Sequence, residues 1–239
     1  MDFKKATRYG ILGILFFLPV TFLLLLYPAT HNYTPLDIVN TSVLEIDGFK
    51  PQTQDTILLK DHITILGFLG TTPISKVITA SNLKELVYDK FKGFKKFQIV
   101  ILMPRGTEEA VKQLQSEINT YEDLKYWHFV FGSNPAIQNI YNSLKVEENL
   151  EPDLSSKYIY IIDKDLSQRG RLDDRTERET ELDKPIKKLY GYNCIEVAEI
   201  KNKMSDDLRI LFTEYRQKRK GEFDSSTRRA NDLNNNDEE

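Results

Sequence analysis

The sequence predicts an α/β fold in which a sheet with parallel central strands carries helices on both faces. Segments rich in β-branched and aromatic residues alternate along the chain with segments of helical spacing. Segments such as TILGFL and QIVILM are apolar nearly throughout, which is typical of strands that helices cover on both sides. The chain of 239 residues is long enough for one such domain with further segments at its ends.

The first predicted element is a transmembrane helix at residues 10–27, where GILGILFFLPVTFLLLLY contains no charge. Lys4, Lys5 and Arg8 precede it, and the next basic residue is Lys50. The positive-inside rule therefore predicts a cytoplasmic N-terminus at residues 1–9 and an exported domain. A cleaved signal peptide is the alternative, although the flank lacks the paired small residues of a cleavage site. The domain is exported in either case.

Residues 28–42 are predicted to form a tether, and residues 43–220 the folded domain. The stretch SVLEIDGF reads as a short strand where the domain begins. Further strands are indicated by β-branched or aromatic runs between polar or turn residues. They are Thr56–Leu59, Ile63–Leu69, Phe97–Met103, His128–Phe131 and Tyr158–Ile162.

Helices are predicted between these strands because apolar residues recur there at intervals of three and four. Three such faces are Val77, Leu83, Leu86, Val87 and Phe91; Ala110, Val111, Leu114 and Ile118; and Ile137, Ile140, Tyr141 and Leu144. The resulting β-α-β order is the one that builds parallel strands with helices on both faces.

The end of the chain contains a charged segment, a long helix and a polar tail. Residues 169–188 mix basic and acidic side chains without apolar spacing, which favours an exposed loop, or alternatively a docking site for a charged partner. Asn193 and Glu196 have the spacing of a capping box and predict a helix over residues 194–218. Residues 221–239 have little apolar content and are predicted to be disordered.

Composition excludes several classes of site. The net charge of −3 does not favour nucleic acid as the main partner. Cys194 is the single cysteine, so an intramolecular disulfide, a CxxC pair and a thiolate-rich metal site are all excluded. His31, His62 and His128 do not have the spacing of metal ligands. The sequence shows no phosphate-binding glycine loop and predicts no cofactor and no small-molecule substrate.

The turn Gly-Thr-Thr-Pro lies where the predicted Ile63–Leu69 strand meets a helix. Helix N-termini stabilise anions, so this is where many α/β proteins hold a catalytic group. Pro73 suits the first turn of the helix, and Thr71 and Thr72 are predicted to cap it. Asp153 is predicted to turn the chain before the Tyr158–Ile162 strand, or alternatively to lie beside the Thr71–Pro73 turn.

Four stretches resemble the Sco family of membrane-anchored copper chaperones, which assist cytochrome c oxidase assembly. They are ILGFLGTTPISKVITASNLKEL, FQIVILMPR, YWHFVFGSNPAIQNIYNSLKV and PDLSSKYIYIIDKDLSQRGRL. The resemblance spans about residues 43–215 and implies a thioredoxin-like domain of the peroxiredoxin-like branch with a central mixed sheet. The single predicted span before an exported domain is also similar to the family's architecture.

The resemblance breaks down at the chemistry. By position, the family's two copper-binding cysteines fall on Thr72 and Lys76, and its histidine falls on Leu154. A hydroxyl, an ammonium and an isobutyl group cannot replace thiolates and an imidazole, so neither copper binding nor thiol exchange is expected. The degenerate site would consist of Thr71, Thr72, Pro73, Lys76, Asp153 and Leu154.

These observations leave three functional hypotheses. The leading one is an envelope-membrane protein that is not an enzyme and binds an envelope or respiratory-complex protein, with oxidase assembly as a candidate role. The second is a redox protein in which Cys194, placed in the first turn of the last helix, has a lowered pKa. The third is a structural envelope protein that presents the charged segment 169–188. The presence of Cys194 does not by itself favour the redox hypothesis, because a lone cysteine more often fills apolar space than reacts.

Overall fold

The computed structural model describes residues 3–26, 35–52, 56–119 and 124–220. The chain divides into two compact units, Met1–Thr34 and Pro35–Glu239. Part of the predicted tether and the predicted disordered tail at 221–239 lie outside the described residues.

The first unit contains one helix, α1, at Phe3–Leu26, with Pro19 inside it. Its apolar side chains between Ile11 and Leu24 are largely exposed to their surroundings. Among the helices of the described ranges, none combines the length and the apolarity required to cross a membrane. The predicted anchor at residues 10–27 ends one residue beyond α1 and stays a prediction.

The second unit is built on one sheet, whose strands run in the spatial order β1-β7-β6-β3-β4-β5-β2. The strands are β1 Asp37–Asn40, β2 Lys50–Pro51, β3 Ile63–Phe68, β4 Phe97–Pro104, β5 Trp127–Gly132, β6 Tyr158–Ile162 and β7 Gln168–Gly170, with β8 Tyr192–Asn193 paired to β6. The central strands β3, β4 and β5 are parallel, as predicted, and β6 lies antiparallel to β3. The sheet is therefore mixed.

Helices follow the parallel strands and cover the sheet. They are α2 Val77–Leu83 and α3 Asp89–Phe91, joined by a π-helical turn at Lys84–Tyr88; α4 Glu108–Ile118; α5 Asn134–Asn142; α6 Glu177–Glu181; and α7 Ser205–Lys220. The β3-α2-β4 unit followed by antiparallel β6, β7 and the last helix is the connectivity of a thioredoxin-like domain. The predicted fold class is confirmed at that level.

The two faces of the sheet carry separate cores because successive strand residues point to opposite sides. Ile65 and Ile99 belong to one cluster, with residues of α2, α4 and α7. Leu66 and Val100 belong to the other, which includes Ile137 of α5. All of β3 and β4 is buried, which explains why their sequences are almost uniformly apolar.

Two predicted strands did not form. SVLEIDGF and Thr56–Leu59 are both irregular, and they are joined by a side chain instead of a ladder. The Glu45 carboxylate accepts hydrogen bonds from the N–H groups of Leu59 and Lys60 at 2.7 and 2.9 Å. The sheet gains a strand from the predicted tether instead, since β1 pairs with β7.

The prediction of an exposed loop over residues 169–188 was wrong at its start. β7 lies between β1 and β6, so Arg169 is an inner-strand residue with 2% exposure. Its guanidinium bonds the carboxylates of Asp163 at 2.8 Å and Glu214 at 3.1 Å, and the Leu36 carbonyl at 2.6 Å. A buried arginine requires such partners. The exposed part of the segment contains α6, which begins with a capping box at Thr176.

The last helix also begins later than predicted. Cys194 follows β8, and its N–H donates to the Lys157 carbonyl at 2.8 Å, so it lies outside the helix. The expected capping box is absent from this stretch, because Glu199 instead accepts from the Asn193 N–H at 2.7 Å. A π-helical turn at Glu199–Met204 then leads into α7.

Candidate functional site

The turn after β3 lies directly against the loop that precedes β6. Gly70 has φ +70°, and a Cβ there would lie 2.5 Å from the Asp153 carbonyl oxygen. The Thr71 N–H donates to that same carbonyl at 2.9 Å, and the Ser156 N–H donates to the Phe68 carbonyl at 3.0 Å. Glycine is required here because only a residue without Cβ allows both the left-handed backbone and this close approach.

A short 3₁₀ turn at Pro73–Lys76 begins the helical segment. Pro73 is buried at the first helical position, as predicted. The predicted side-chain caps do not form: the Thr72 hydroxyl caps no backbone N–H, and the Thr72 carbonyl accepts from the N–H and the hydroxyl of Ser75. The Thr72 side chain lies instead 3.2 Å from the Ser75 hydroxyl and 3.4 Å from an Asp153 carboxylate oxygen.

Asp153 is the charged centre of the turn and satisfies both predictions made for it. Its Oδ1 accepts from the N–H and hydroxyl of Ser155 at 2.9 and 2.6 Å, which turns the chain before β6. Its Oδ2 lies 4.0 Å from the Lys76 ammonium. Burial raises the pKa of Asp153, but the Ser155 hydrogen bonds, the Lys76 charge and the Thr72 hydroxyl outweigh it, so that the pKa is lowered.

A cavity of about 380 Å³ opens beside this turn. Its lining includes Lys76, Asp153 and Lys157, together with the exposed side chain of Ile195. Leu154 packs instead against the second core cluster and has φ +65°. The structure thus brings Thr72, Lys76 and Asp153 together, whereas the side chain of Leu154 belongs to the core.

Cys194 does not have the environment of a reactive thiol. It is fully buried, and its thiol lies 3.3 Å from the Thr79 carbonyl of α2. Burial raises the pKa of the thiol to about 12, so the nucleophilic thiolate is scarce at neutral pH. The helix-dipole argument for a lowered pKa fails because Cys194 lies outside the helix. The structure therefore supports apolar filling over the redox hypothesis.

The candidate histidines do not assemble a metal site in the described part of the chain. His62 lies in the loop just before β3, and its Nδ1 is 3.0 Å from the Lys60 carbonyl oxygen. His128 lies on β5. His31 falls outside the described residues. Within the described ranges, no group of three or more His, Cys, Asp and Glu side chains is placed to hold a metal ion.

Comparison with known proteins gives fold-level similarity. No family model matches the chain, and no curated protein matches it. A candidate electron transport protein from Aquifex aeolicus VF5 shares 15% identity, covering 73% of this chain and 99% of that one, with a TM-score of 0.49. BsSco, a member of the Sco family of cytochrome c oxidase assembly proteins, shares 18% over 73% and 95%, with a TM-score of 0.47. Copper-bound yeast Sco1 shares 10% over 80% and 93%, with a TM-score of 0.44.

Solved structures similar to this chain thus include Sco-family and thioredoxin-like proteins. Identities and TM-scores this low assign neither a family nor a function. The site has to be interpreted from its own residues.

The sequence reasoning missed an apolar patch next to the turn, formed by Ile74, Ile78 and Ile195. Their exposed fractions are 40%, 69% and 56%. Ile74 and Ile78 are four residues apart, and Asn82, a further four on, donates to the Cys194 carbonyl at 3.0 Å. This contact joins the helix to the Ile195 loop. The signal in the sequence was the pair of isoleucines at helical spacing outside the buried face of α2.

Proposed function

We propose that the chain is a membrane-anchored, exported, Sco-like protein that acts by binding an envelope protein, without copper or thiol chemistry, with respiratory oxidase assembly as the candidate process. The observation that carries the proposal is the turn after β3. Its strand, glycine and helix start have the thioredoxin-like arrangement. Thr72 and Lys76, on which the sequence resemblance places the family's two cysteines, lie 3.4 and 4.0 Å from the Asp153 carboxylate. A hydroxyl and an ammonium supply neither a soft metal ligand nor an exchangeable thiol.

The apolar patch supports binding as the role of this surface. Ile195 lines the cavity, and Ile74 and Ile78 lie on the helical segment that contributes Lys76 and Thr79 to it. Exposed apolar side chains favour association, because covering them removes apolar surface from water. Lys76, Lys157 and Asp153 surround the adjacent cavity and would supply polar contacts at the rim of such an interface. The partner surface would therefore be apolar at its centre and charged at its edge.

The anchor is proposed from the sequence of residues 10–27, which contains no charge. Basic residues precede this stretch and are absent from the 23 residues that separate Leu26 from the next lysine, Lys50, which favours export of the domain. The proposed location is a single-pass protein of the cell membrane with its domain on the extracytoplasmic side.

Site-specific photocrosslinking in the native membrane tests the binding proposal. A photoreactive residue replaces Ile78 in the full chain, and a matched control replaces Ile186, which is similarly exposed at 62% but lies in the charged segment. We expect the Ile78 position to capture an envelope protein, and oxidase subunits among the captured proteins would support the assembly role. Capture at Ile186 alone would favour the charged segment as the docking site.

Two further measurements sharpen that test. In the chain that carries the photoreactive residue at position 78, Ile195→Asp should weaken capture by about tenfold or more, because burial of one isoleucine contributes roughly 1.5–3 kcal/mol. Copper titration of the purified chain should show no tight binding. Tight binding of one copper ion per chain would refute the proposal.

A further inference from the structure

A basic groove lies on the part of the domain where α7 meets the turn between α3 and β4. Its lining includes six cationic side chains, Lys95, Lys96, Lys164, Arg216, Lys218 and Arg219. Its volume is about 780 Å³. Neither the binding surface at the β3 turn nor the proposed oxidase role uses this groove.

The positive charge of the groove is poorly compensated. Lys218 pairs with Glu214 at 2.9 Å, and Glu214 also binds the buried Arg169. Within the described ranges, Lys95, Lys96, Arg216 and Arg219 form no ion pair of their own. Like charges this close repel one another, so an anion in the groove would be favoured.

Lys164 is one of the cations of the groove and is affected by the positive charges around it. Its ammonium lies 3.9 Å from the centre of the Tyr215 ring. Burial lowers the pKa of Lys164, and although Asp163 and Asp61 act in the opposite direction, the charges of Arg219 and Lys96 lower it further. A bound phosphate would relieve this repulsion.

The floor of the groove is aromatic. Phe94 is 37% exposed and stacks on Phe212 with ring centres 4.1 Å apart. Aromatic rings combined with lysine and arginine are typical of surfaces that lie at the interface between a membrane and water.

The chain enters the domain at the same end. Leu36 is the second residue of the described domain, and its carbonyl accepts a hydrogen bond from Arg169, which also binds Glu214 of α7. Tyr215 and Arg216, the next residues of α7, line the groove. The first residues of the described domain therefore lie near the groove.

We propose that the basic groove binds the headgroup phosphates of anionic phospholipids and so holds the exported domain against the membrane surface. The inference rests on the proposed anchoring by residues 10–27, which is what would bring a membrane to this end of the domain. Each lysine or arginine near an anionic surface contributes about a fivefold gain in binding.

The test uses the full chain in lipid nanodiscs. A fluorescent label that reports polarity is attached to Gly93→Cys in a Cys194→Ala background, because Gly93 lines the groove and has open space around it. We expect the emission to shift to the blue in discs that contain phosphatidylglycerol, compared with discs of phosphatidylcholine alone. Inorganic phosphate added to phosphatidylcholine discs should not reproduce the shift, and high salt should reverse it.

Charge reversal provides the matched comparison. The triple variant Lys95→Glu, Lys96→Glu, Arg219→Glu should reduce the ratio of docked to free domain by at least about a hundredfold, which is the loss from removing three cations alone. The control Lys187→Glu, Lys188→Glu, Lys201→Glu makes the same change of charge at exposed residues outside the groove and should leave the shift intact. A milder variant with glutamine at residues 95, 96 and 219 serves if the reversed one fails to fold.

The outcomes separate the two proposals. A chain that does not migrate with the discs contradicts the anchor. Two results overturn the lipid site alone. One is a chain that migrates with the discs but gives the same emission in both lipids, and the other is an equal loss of the blue shift in both triple variants. A third result would also overturn the lipid site. If the emission is equally blue in both lipids and moves to the red when residues 221–239 are removed, the acidic residues of that segment occupy the groove instead of lipid.

Discussion

The buried Arg169 network makes a quantitative prediction about stability. Arg169 bonds Asp163, Glu214 and the Leu36 carbonyl, and each of the two carboxylates is at most 1% exposed. Arg169→Met fills similar space but removes the buried guanidinium that both carboxylates share. Asp163 keeps its bond from the Tyr215 hydroxyl, and Glu214 keeps Lys218.

Removing one partner of a buried ion pair costs about 3–5 kcal/mol, because a charge is left in a medium that solvates it poorly. The loss of the bond to the Leu36 carbonyl adds to that cost. We therefore expect Arg169→Met to reduce the free energy of unfolding by about 4 kcal/mol. This is a large share of the roughly 5–15 kcal/mol that stabilises a typical domain.

Urea unfolding of the full chain in non-ionic detergent measures the effect. Trp127 is the single tryptophan and is 4% exposed, so its fluorescence reports loss of the core. With a slope of roughly 1–3 kcal/mol per M, the midpoint should fall by at least about 1.3 M. Arg209→Met is the control, because Arg209 pairs with Asp206 while both are more than half exposed. Its expected cost is about 0.5 kcal/mol or less.

The pH dependence provides a second check. Burial raises the pKa of Asp163, but the Arg169 charge and the hydrogen bonds from Tyr215 and Lys164 outweigh it, and the pKa is lowered. A lowered pKa contributes stability that is present above the unfolded pKa and is lost as the pH falls through the folded one. Without Arg169, burial dominates, so the variant should recover stability relative to wild type as the pH falls from neutral.

Equal losses in Arg169→Met and Arg209→Met would refute this reasoning. So would a stability difference between wild type and Arg169→Met that stays constant with pH. Either result would mean that the network is not a stabilising element of the fold.

Three further predictions concern the β3 turn and the lone cysteine. Cys194 should react with a thiol reagent only when the chain unfolds, because burial raises its pKa to about 12; rapid labelling of the native protein at neutral pH would restore the redox hypothesis. Gly70→Ala should cost about 2 kcal/mol or more in urea unfolding, whereas Gly93→Ala, with open space around it, should cost far less; equal costs would contradict the close approach at the turn. The lowered pKa of Asp153 means that its contribution is lost as the pH falls, so the stability difference between wild type and Asp153→Asn should shrink in acid, and a constant difference would contradict the assignment.

Local sequence patterns predicted the parallel core of the domain. β3 and β4 are buried on both faces, and helices with a single apolar face follow them. These apolar patterns are local in sequence, so they identify the strands and helices without knowledge of distant contacts. The proximity of Thr72 and Lys76 to Asp153 could also be predicted from the sequence, because one of the two positions predicted for Asp153 was beside this turn.

The same reasoning failed wherever a distant side chain replaced a local pattern. Thr56–Leu59 has strand-like residues, but the Glu45 carboxylate binds the N–H groups at its end. Cys194 was placed in a helix because Asn193 and Glu196 have capping-box spacing. The Asn193 N–H instead bonds Glu199, and the helix begins later.

The sequence by itself determined the α/β class, the parallel order of the central strands and the absence of any cysteine pair, because periodicity and residue count are properties of the chain alone. Only the tertiary structure decided that Arg169 is buried, that the isoleucines near the turn are exposed together, and that cations from separate segments surround one groove. These features join residues distant in sequence, such as Arg169 with Leu36 and Lys95 with Arg219. Charge and exposure at such positions depend on which segments meet, and no local pattern records that.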